Sequence, residues 1–310
     1  MNHFHLFRKL IDKGMPPIVI RLLLFWYGNQ TFAVRWCSVI SKSFTVTNGV
    51  RQGGILSPYF YNVFVDDLSA RLSGSAIGCC VDGTFMNHLF YADDSVLIAP
   101  SPSALQDLIN ICVSFASENE ITYNCTKTVC MTVLPKNLKD LYVPSFYLNC
   151  TVIKQVDSQK YLGVYFNSDM SDDEDIKREL RLVYCRGNLL LRKFRQCSED
   201  VKLQLFRSYC NNLYCCSLWC QYTKEILRKL KVAYNNTFRL LFNVRDVIHI
   251  SNLFMNLGLD TTKVIIRKSV SSLFKRLDNS CNSVIQTIIQ SGYFMFKSNL
   301  FTHWRKIAFC

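Results

Sequence analysis

The sequence predicts an α+β fold, in which an antiparallel sheet with helices on one face is followed by an all-helical region. Three observations predict it. Runs of β-branched and aromatic residues, separated by turn residues, recur up to Phe166. Within that stretch two segments opening at Ser57-Pro58 and Ser101-Pro102 carry apolar residues at helical spacing. After Phe166 the strand alternation stops and helical spacing continues almost to Cys310, which predicts a domain boundary near residue 170.

Residues 1 to 28 read as helix, broken at Gly14 and restarted after Pro16-Pro17, because proline is tolerated in a first turn and not in mid-helix. Phe32–Cys37 and Lys42–Val46 read as the arms of a hairpin. At Ser57 the serine is expected to cap a helix whose buried stripe is Phe60, Phe64, Leu68 and Leu72. Asp82-Gly83 signals a two-residue turn, and Ala92-Asp93-Asp94 interrupts a second pair of apolar strands. Ser101-Pro102 opens a second helix with Leu105, Leu108, Ile109, Cys112 and Ala116 on one face, and strands resume from Ile121 through Tyr161–Phe166. Ser171 with Glu174 has capping-box spacing, and the acids Asp172, Asp173, Glu174 and Asp175 suit the positive end of a helix dipole better than a metal site.

Lys and Arg number 36 against 23 Asp and Glu, a formal net charge of +13, so a polyanion such as nucleic acid is the leading partner class. Fifteen cysteines without a C-x-x-C pair, and odd in number, point to neither a zinc site nor a closed disulfide framework. Cys210, Cys215, Cys216 and Cys220 lie in an apolar helical pattern and are expected to be free core thiols. No apolar run approaches the length needed to span a bilayer, and no secretory h-region follows Met1, which favours an intracellular, reducing setting, nuclear or cytoplasmic.

Two adjacent carboxylates, Asp93 and Asp94, stand between apolar strand residues. Buried in a strand they would be costly, whereas at a hairpin tip both can face a cleft and bind divalent cations. An Asp-Asp pair alone also fits an ordinary polar turn. Upstream, Gly49-Val50-Arg51-Gln52-Gly53-Gly54-Ile55-Leu56-Ser57-Pro58 combines glycines that let a backbone approach a ligand closely with a helix start that offers free N–H groups.

Together the 49–58 run and Tyr91-Ala92-Asp93-Asp94 resemble successive core motifs of reverse transcriptases, particularly those of non-LTR (LINE-type) retrotransposons. Two later segments agree in order: Asn124-Cys125-Thr126-Lys127-Thr128, similar to the motif whose lysine lies near the nucleotide phosphates, and Lys160-Tyr161-Leu162-Gly163-Val164, similar to the primer grip. The resemblance implies a partial polymerase palm at 1–170, a helical thumb-like region at 171–245 and a helical extension at 246–310. It implies template-directed DNA synthesis by two-metal phosphoryl transfer, with Asp93 and Asp94 as catalytic metal ligands and Lys127 as a proton donor to the leaving group. Arg51, Gln52, Gly53, Gly54, Ser57, Pro58 and Tyr91 would line template and nucleotide, Tyr161, Leu162 and Gly163 the primer end, and Lys177, Arg178 and Arg181 the nucleic-acid backbone. The implied cofactor is Mg²⁺, two ions in the intact family, and the implied partners are an RNA template, a DNA primer and deoxynucleoside triphosphates, with no membrane and no protein partner.

In that family a third catalytic aspartate stands on a strand just ahead of a helix like the one beginning at Asn2-His3, so the chain is expected to be an N-terminally truncated fragment. Two ions would then lack a bridging ligand, and the fragment alone is expected to be inactive. The alternative is a non-catalytic, basic nucleic-acid-binding protein derived from a retroelement.

Overall fold

The structure is a computed structural model that describes residues 1–135, 142–244, 249–292, 294 and 299–309. The chain divides into two compact units, Met1–Cys130 with Tyr142–Lys154, and Met131–Leu141 with Gln155–Cys310.

In the first unit, α1 (His3–Asp12) starts where the Asn2 side chain accepts the Phe4 amide, and α2 (Pro17–Gly28) starts on a proline. Leu6, Phe7 and Leu10 of α1 meet Ile20, Leu23 and Tyr27 of α2 and Phe60, Val63 and Phe64 of α3 (Ser57–Gly74) in one core cluster. Between α2 and α3, β1 (Thr31–Phe32) pairs with β4 (Phe44–Thr45), and β2 (Arg35–Trp36) with β3 (Val39–Ile40), as antiparallel arms. The predicted stripe Phe60, Phe64, Leu68 and Leu72 is buried. Each such side chain contributes about 1.5–3 kcal/mol of transfer free energy before entropy is counted.

The start of α3 departs from the sequence prediction. Leu56 stands at the N-cap with no side-chain hydrogen bond, and the Ser57 hydroxyl donates instead to the Arg51 carbonyl. Serine here closes the preceding loop, a six-residue contact that capping rules cannot anticipate.

Next come β5 (Cys79–Val81) and β6 (Thr84–Met86), joined by Asp82 and Gly83, both with positive φ as a type I′ turn requires. The pair β7 (His88–Tyr91) and β8 (Asp94–Leu97) follows. Buried Asn87, between β6 and β7, donates Nδ2–H to the carbonyls of Leu72 (2.6 Å) and Ile77 (2.7 Å), which ties the end of α3 to the hairpins. The α4 helix (Pro102–Glu118) is capped by Ser101, which accepts the Ala104 amide, as predicted. Leu108, Cys112 and Phe115 of α4 pack on Leu68 and Leu72, while Ile109 packs on Cys130, Phe146, Leu148 and Ile153. β9 (Val129–Cys130), β10 (Tyr147–Leu148), β11 (Thr151–Val152) and β12 (Lys154–Gln155) are two residues each. The single continuous sheet expected from the sequence is replaced by two-stranded antiparallel sheets. Paired runs of two to four residues end at tight turns before a third strand can register on them.

The second unit begins with the hairpin β13 (Ser158–Tyr161) and β14 (Val164–Asn167), followed by α5 (Asp173–Phe194), α6 (Glu199–Cys210), a 3₁₀ turn at Cys216–Leu218 and α7 (Lys224–Phe242). Then come α8 (Ile250–Asn256), α9 (Thr262–Asp278), α10 (Ser283–Gln290) and α11 (Asn299–Phe309). Val183, Leu190, Phe206, Leu230, Tyr234, Phe238 and Phe254 lie in its core. Gly187 of α5 abuts α7 so closely that a Cβ there would lie 2.6 Å from Thr237 Cγ2.

Asp172 stands at the N-cap of α5 and Asp173, Glu174 and Asp175 in its first turn, as the dipole argument predicts, and two of these acids also hold the segment at 220–223. Asp172 accepts the amides of Cys220 (2.6 Å) and Gln221 (2.7 Å), and Asp173 accepts the Thr223 amide (2.8 Å) and hydroxyl (3.0 Å). Ser171 accepts the Asp173 amide at 3.3 Å, and Glu174 receives the Ser158 hydroxyl at 2.7 Å, so the expected Ser171–Glu174 capping box is absent. The change of unit at 154/155 comes ahead of residue 170, and the β13–β14 hairpin is bonded to Asp175 of α5 and to Tyr214. The boundary at 245/246 lies outside the described residues.

The described cysteines are free thiols, with Cys112 and Cys130 buried in the first unit and Cys210 and Cys216 in the second. Burial pushes the Cys112, Cys210 and Cys216 thiols up to about 11. Among the described residues no helix is long and apolar enough to cross a membrane.

Candidate active site and nucleic-acid interface

The carboxylate pair sits at a two-residue hairpin tip. Tyr91 pairs with Asp94, so Ala92 and Asp93 form the turn, and Ala92 takes the left-handed conformation (φ 51°) usually left to glycine or asparagine. Phe90 and Leu97 anchor the hairpin against Leu68, Leu72 and Leu108, whereas Tyr91, Asp93 and Asp94 are exposed. Inward packing on one side thus presents both carboxylates to solvent without the cost of burying them.

The decisive neighbour is Tyr61, one turn along α3 from Ser57. Its phenol is pushed up first by burial and then by the negative charges of Asp93 and Asp94. The α3 helix and the β7–β8 hairpin are neighbours in the first unit, as the packing of Phe90 and Leu97 and the Ser69–His88 hydrogen bond show. Tyr123, whose phenol is also pushed up by burial, lies within electrostatic reach of Tyr61 and bonds Cys112.

The glycine-rich run is a compact loop leading into α3. The Gly49 amide donates to the Met1 carbonyl (2.7 Å) and the His3 ring to the Gly49 carbonyl (2.7 Å). Gly53 has φ +78°, and a Cβ on Gly54 would lie 2.7 Å from Ser57 Oγ, so the loop needs glycine at both positions, for different reasons. Arg51 lies 5.7 Å over the Phe32 ring, while Gln52, Gly53 and Pro58 are exposed and Ser57 is buried.

Lys127 is exposed in a turn. Asn124 Oδ1 accepts the amides of Thr126 and Lys127, both at 3.2 Å, and the Thr126 hydroxyl at 2.7 Å. Among the described residues no ion pair joins Lys127 to either aspartate.

In the second unit, Leu162 (φ 47°) and Gly163 (φ 85°) form the β13–β14 turn, and the Tyr214 hydroxyl donates to the Leu162 carbonyl at 3.0 Å. A Cβ on Gly163 would lie 3.1 Å from the Tyr214 ring. Tyr161 is half-buried beside the turn.

The three basic residues assigned to nucleic-acid backbone divide. Lys177 and Arg181 are exposed on α5. Arg178 points inward, donating Nε–H (2.6 Å) and Nη2–H (3.1 Å) to Asp175 and lying 3.5 Å from Glu179, with its side chain 11% exposed. Basic composition alone cannot separate an inward arginine from its outward neighbours; the acids at i−3 and i+1 were the available signal. Sequence reasoning also missed Tyr61, Asn87 and Tyr214, whose roles depend on contacts remote in sequence.

Asp93 and Asp94 offer exposed oxygen donors, the donor type Mg²⁺ prefers. Among the described residues no cluster of three or more His, Cys, Asp or Glu side chains is arranged as a metal cage.

The family model described as reverse transcriptase (RNA-dependent DNA polymerase) matches residues 1–166. The chain belongs to the reverse transcriptase family. This reverse transcriptase chain is 25% identical over 288 residues to a probable RNA-directed DNA polymerase from transposon X-element of Drosophila melanogaster, covering 91% of this chain and 31% of that protein. It is 35% identical over 176 residues to a Pol polyprotein from the type-2 retrotransposable element R2DM of the same species, covering 54% of this chain and 16% of the relative. The RNA-directed DNA polymerase from mobile element jockey of Drosophila funebris is 22% identical over 281 residues, covering 88% and 30% respectively. These relatives belong to non-LTR retrotransposons, and the chain spans less than a third of the length of each. The match ends at the β13–β14 hairpin, so the helical part of the second unit rests on the longer relatives alone.

Proposed function

We propose that residues 1–310 serve RNA-directed DNA synthesis in a non-LTR retrotransposon, the first unit as part of a palm and the helices after residue 170 as a thumb-like region. The observation that carries this is the packing of the carboxylate hairpin, through Phe90 and Leu97, on Leu68 and Leu72 of α3, whose Tyr61 feels the charges of both aspartates. In this reading Asp93 and Asp94 would hold Mg²⁺, which would supply charge neutralisation to the phosphates. The Arg51–Pro58 loop, with its exposed Gln52 and Gly53, lies along template and nucleotide together with Tyr91. Lys127 delivers a proton to the departing pyrophosphate oxygen. The turn at Tyr161–Gly163, braced by Tyr214, holds the primer end, and Lys177 and Arg181 face phosphates. Two carboxylates fall short of the ligands that two Mg²⁺ ions require, so the polypeptide 1–310 by itself is expected not to extend a primer.

A second reading, nucleic-acid binding without catalysis, draws support from the exposed cations of α5. Iron(II) substituted for Mg²⁺, with ascorbate and peroxide, separates the two. The polymerase reading expects backbone cleavage near residues 93 and 61 that disappears in Asp93→Asn/Asp94→Asn. Uncleaved protein, with primer–template binding indifferent to Mg²⁺ and to that double variant, would favour the second.

A further inference from the structure

We propose that the groove between the C-terminal ends of α5 and α7 binds a single strand of nucleic acid, at a site separate from the carboxylate hairpin and needing no metal. The groove encloses about 1140 Å³ and lies wholly within the second unit. Arg192, Lys193 and Arg195 line one wall and Arg239 the other, with no carboxylate among the described lining residues. Cations in a last helical turn offset the dipole, and Arg192 and Lys193 do so for α5. Arg195 lies past the helix end, so its charge adds to a positive wall beyond what the dipole takes up.

The remaining lining suits nucleotides rather than a simple anion. Gln196 and Asn236 offer amides that both donate and accept, which matches base edges, and Leu240, 65% exposed, offers an apolar surface for a base or sugar. Bases reach such groups only when splayed out, which a single strand allows and a stacked duplex does not. A path leads to the groove. Lys177, Arg181, Tyr184, Asn188 and Arg192 follow one another at three- and four-residue spacing along the outer side of α5, all exposed, over roughly 22 Å at 1.5 Å per residue. Tyr184, 49% exposed, stands among the cations as a stacking surface. The inference stands whether or not the carboxylate hairpin catalyses DNA synthesis, because the groove residues at 191–196 and 236–244 take no part in that reading and need no metal.

The test is fluorescence anisotropy of polypeptide 1–310 in EDTA with a labelled oligouridylate, the matching oligodeoxythymidylate and a blunt duplex, across a salt series. Arg192→Gln/Lys193→Gln/Arg195→Gln is compared with Lys263→Gln/Lys275→Gln/Arg276→Gln, which removes the same charge from exposed positions on α9. Three lost phosphate contacts should weaken single-strand binding about tenfold or more and make the log–log salt slope shallower by about 2, at roughly 0.7 per phosphate. The α9 variant should change little. The two oligonucleotide arms distinguish an RNA from a DNA occupant, and preference for either, or equal binding, supports the proposal. Equal weakening by both triple variants, tighter binding of duplex than of single strands, or equally tight binding of polyglutamate would overturn it. Should the groove variant fail to fold, 4-thiouridine crosslinking to the unaltered protein decides: adducts must include residues within 191–196 or 236–244, and a map with none in either stretch refutes it. These readouts are taken in EDTA, where the carboxylate hairpin holds no Mg²⁺, so a failure here is distinct from a failure of the polymerase reading.

Discussion

Replacing Asp175 with alanine should unfold the second unit well below the temperature of the parent. Asp175 is 1% exposed and accepts the Tyr165 amide (3.1 Å), the Trp219 indole N–H (2.8 Å) and two donors of Arg178 (2.6 and 3.1 Å). It thereby joins β14, α5 and the segment after the 3₁₀ turn. Alanine leaves the buried indole N–H unmatched and the Arg178 guanidinium with only Glu179, at 3.5 Å, as a counter-charge. Removing one partner of a buried ion pair costs about 3–5 kcal/mol, and the surviving Glu179 argues for the lower end, about 3 kcal/mol. For a unit of this size that is a fall in Tm of roughly 6–12 °C. Urea denaturation followed by tryptophan fluorescence measures it, with Trp219 and Trp304 buried in this unit. Arg178→Met should act in the same direction, and the double variant should cost less than the sum because neither charge is then stranded. A loss under about 1 kcal/mol, or strict additivity, would refute the assignment of the network as a structural keystone. The same arginine supplies a functional control. Arg178→Met should leave the salt slope of nucleic-acid binding unaltered, whereas Lys177→Gln and Arg181→Gln should each make it shallower by about 0.7–0.9.

Gly187→Ala should cost about 1–3 kcal/mol by overpacking against Thr237, and adding Thr237→Ala should recover part of it; thermal unfolding of the three proteins checks both. Asn87→Ala should cost about 1–3 kcal/mol, since the carbonyls of Leu72 and Ile77 lose their donor, measured as a shift in the urea midpoint of the first unit. Burial holds His88 below its ordinary value, and the neutral ring donates to Asn87 and accepts the Ser69 hydroxyl. Its contribution is therefore complete above about pH 6.5 and is lost as pH falls through the depressed value, so a Tm series on acidification should fall more steeply in the parent than in His88→Gln.

Local signals in the sequence carried much of the fold. Phe60, Phe64, Leu68 and Leu72 announce the buried face of α3, Ser101-Pro102 the start of α4, and Asp82-Gly83 the β5–β6 turn, because each depends on residues within a turn or two of itself. Where a side chain's partner is distant in sequence, local rules fell short: Ser57 closes a loop onto Arg51, Arg178 turns inward, and Asp172 and Asp173, placed at the start of α5 as expected, also hold residues 220–223. Sheet extent was overestimated because β propensity reports that a strand is extended and not how many neighbours it finds. At the candidate site, the carboxylate pair and the glycine-rich run stood out through their composition. Tyr61, which links them, did not, since an aromatic residue next to the Phe60 stripe reads as ordinary helix.

The arrangement of the thiols turns the molecule into its own unfolding reporter. Cys37, Cys80, Cys150, Cys185 and Cys281 are exposed and should react at once with an alkylating reagent, while Cys112 and Cys130 in one unit, and Cys210 and Cys216 in the other, are sheltered. Enclosed, these four can be modified only when their surroundings open, and burial also pushes the Cys112, Cys210 and Cys216 thiols up to about 11. Peptide-resolved labelling rates at graded denaturant would then time the opening of each half separately, without the introduction of any probe.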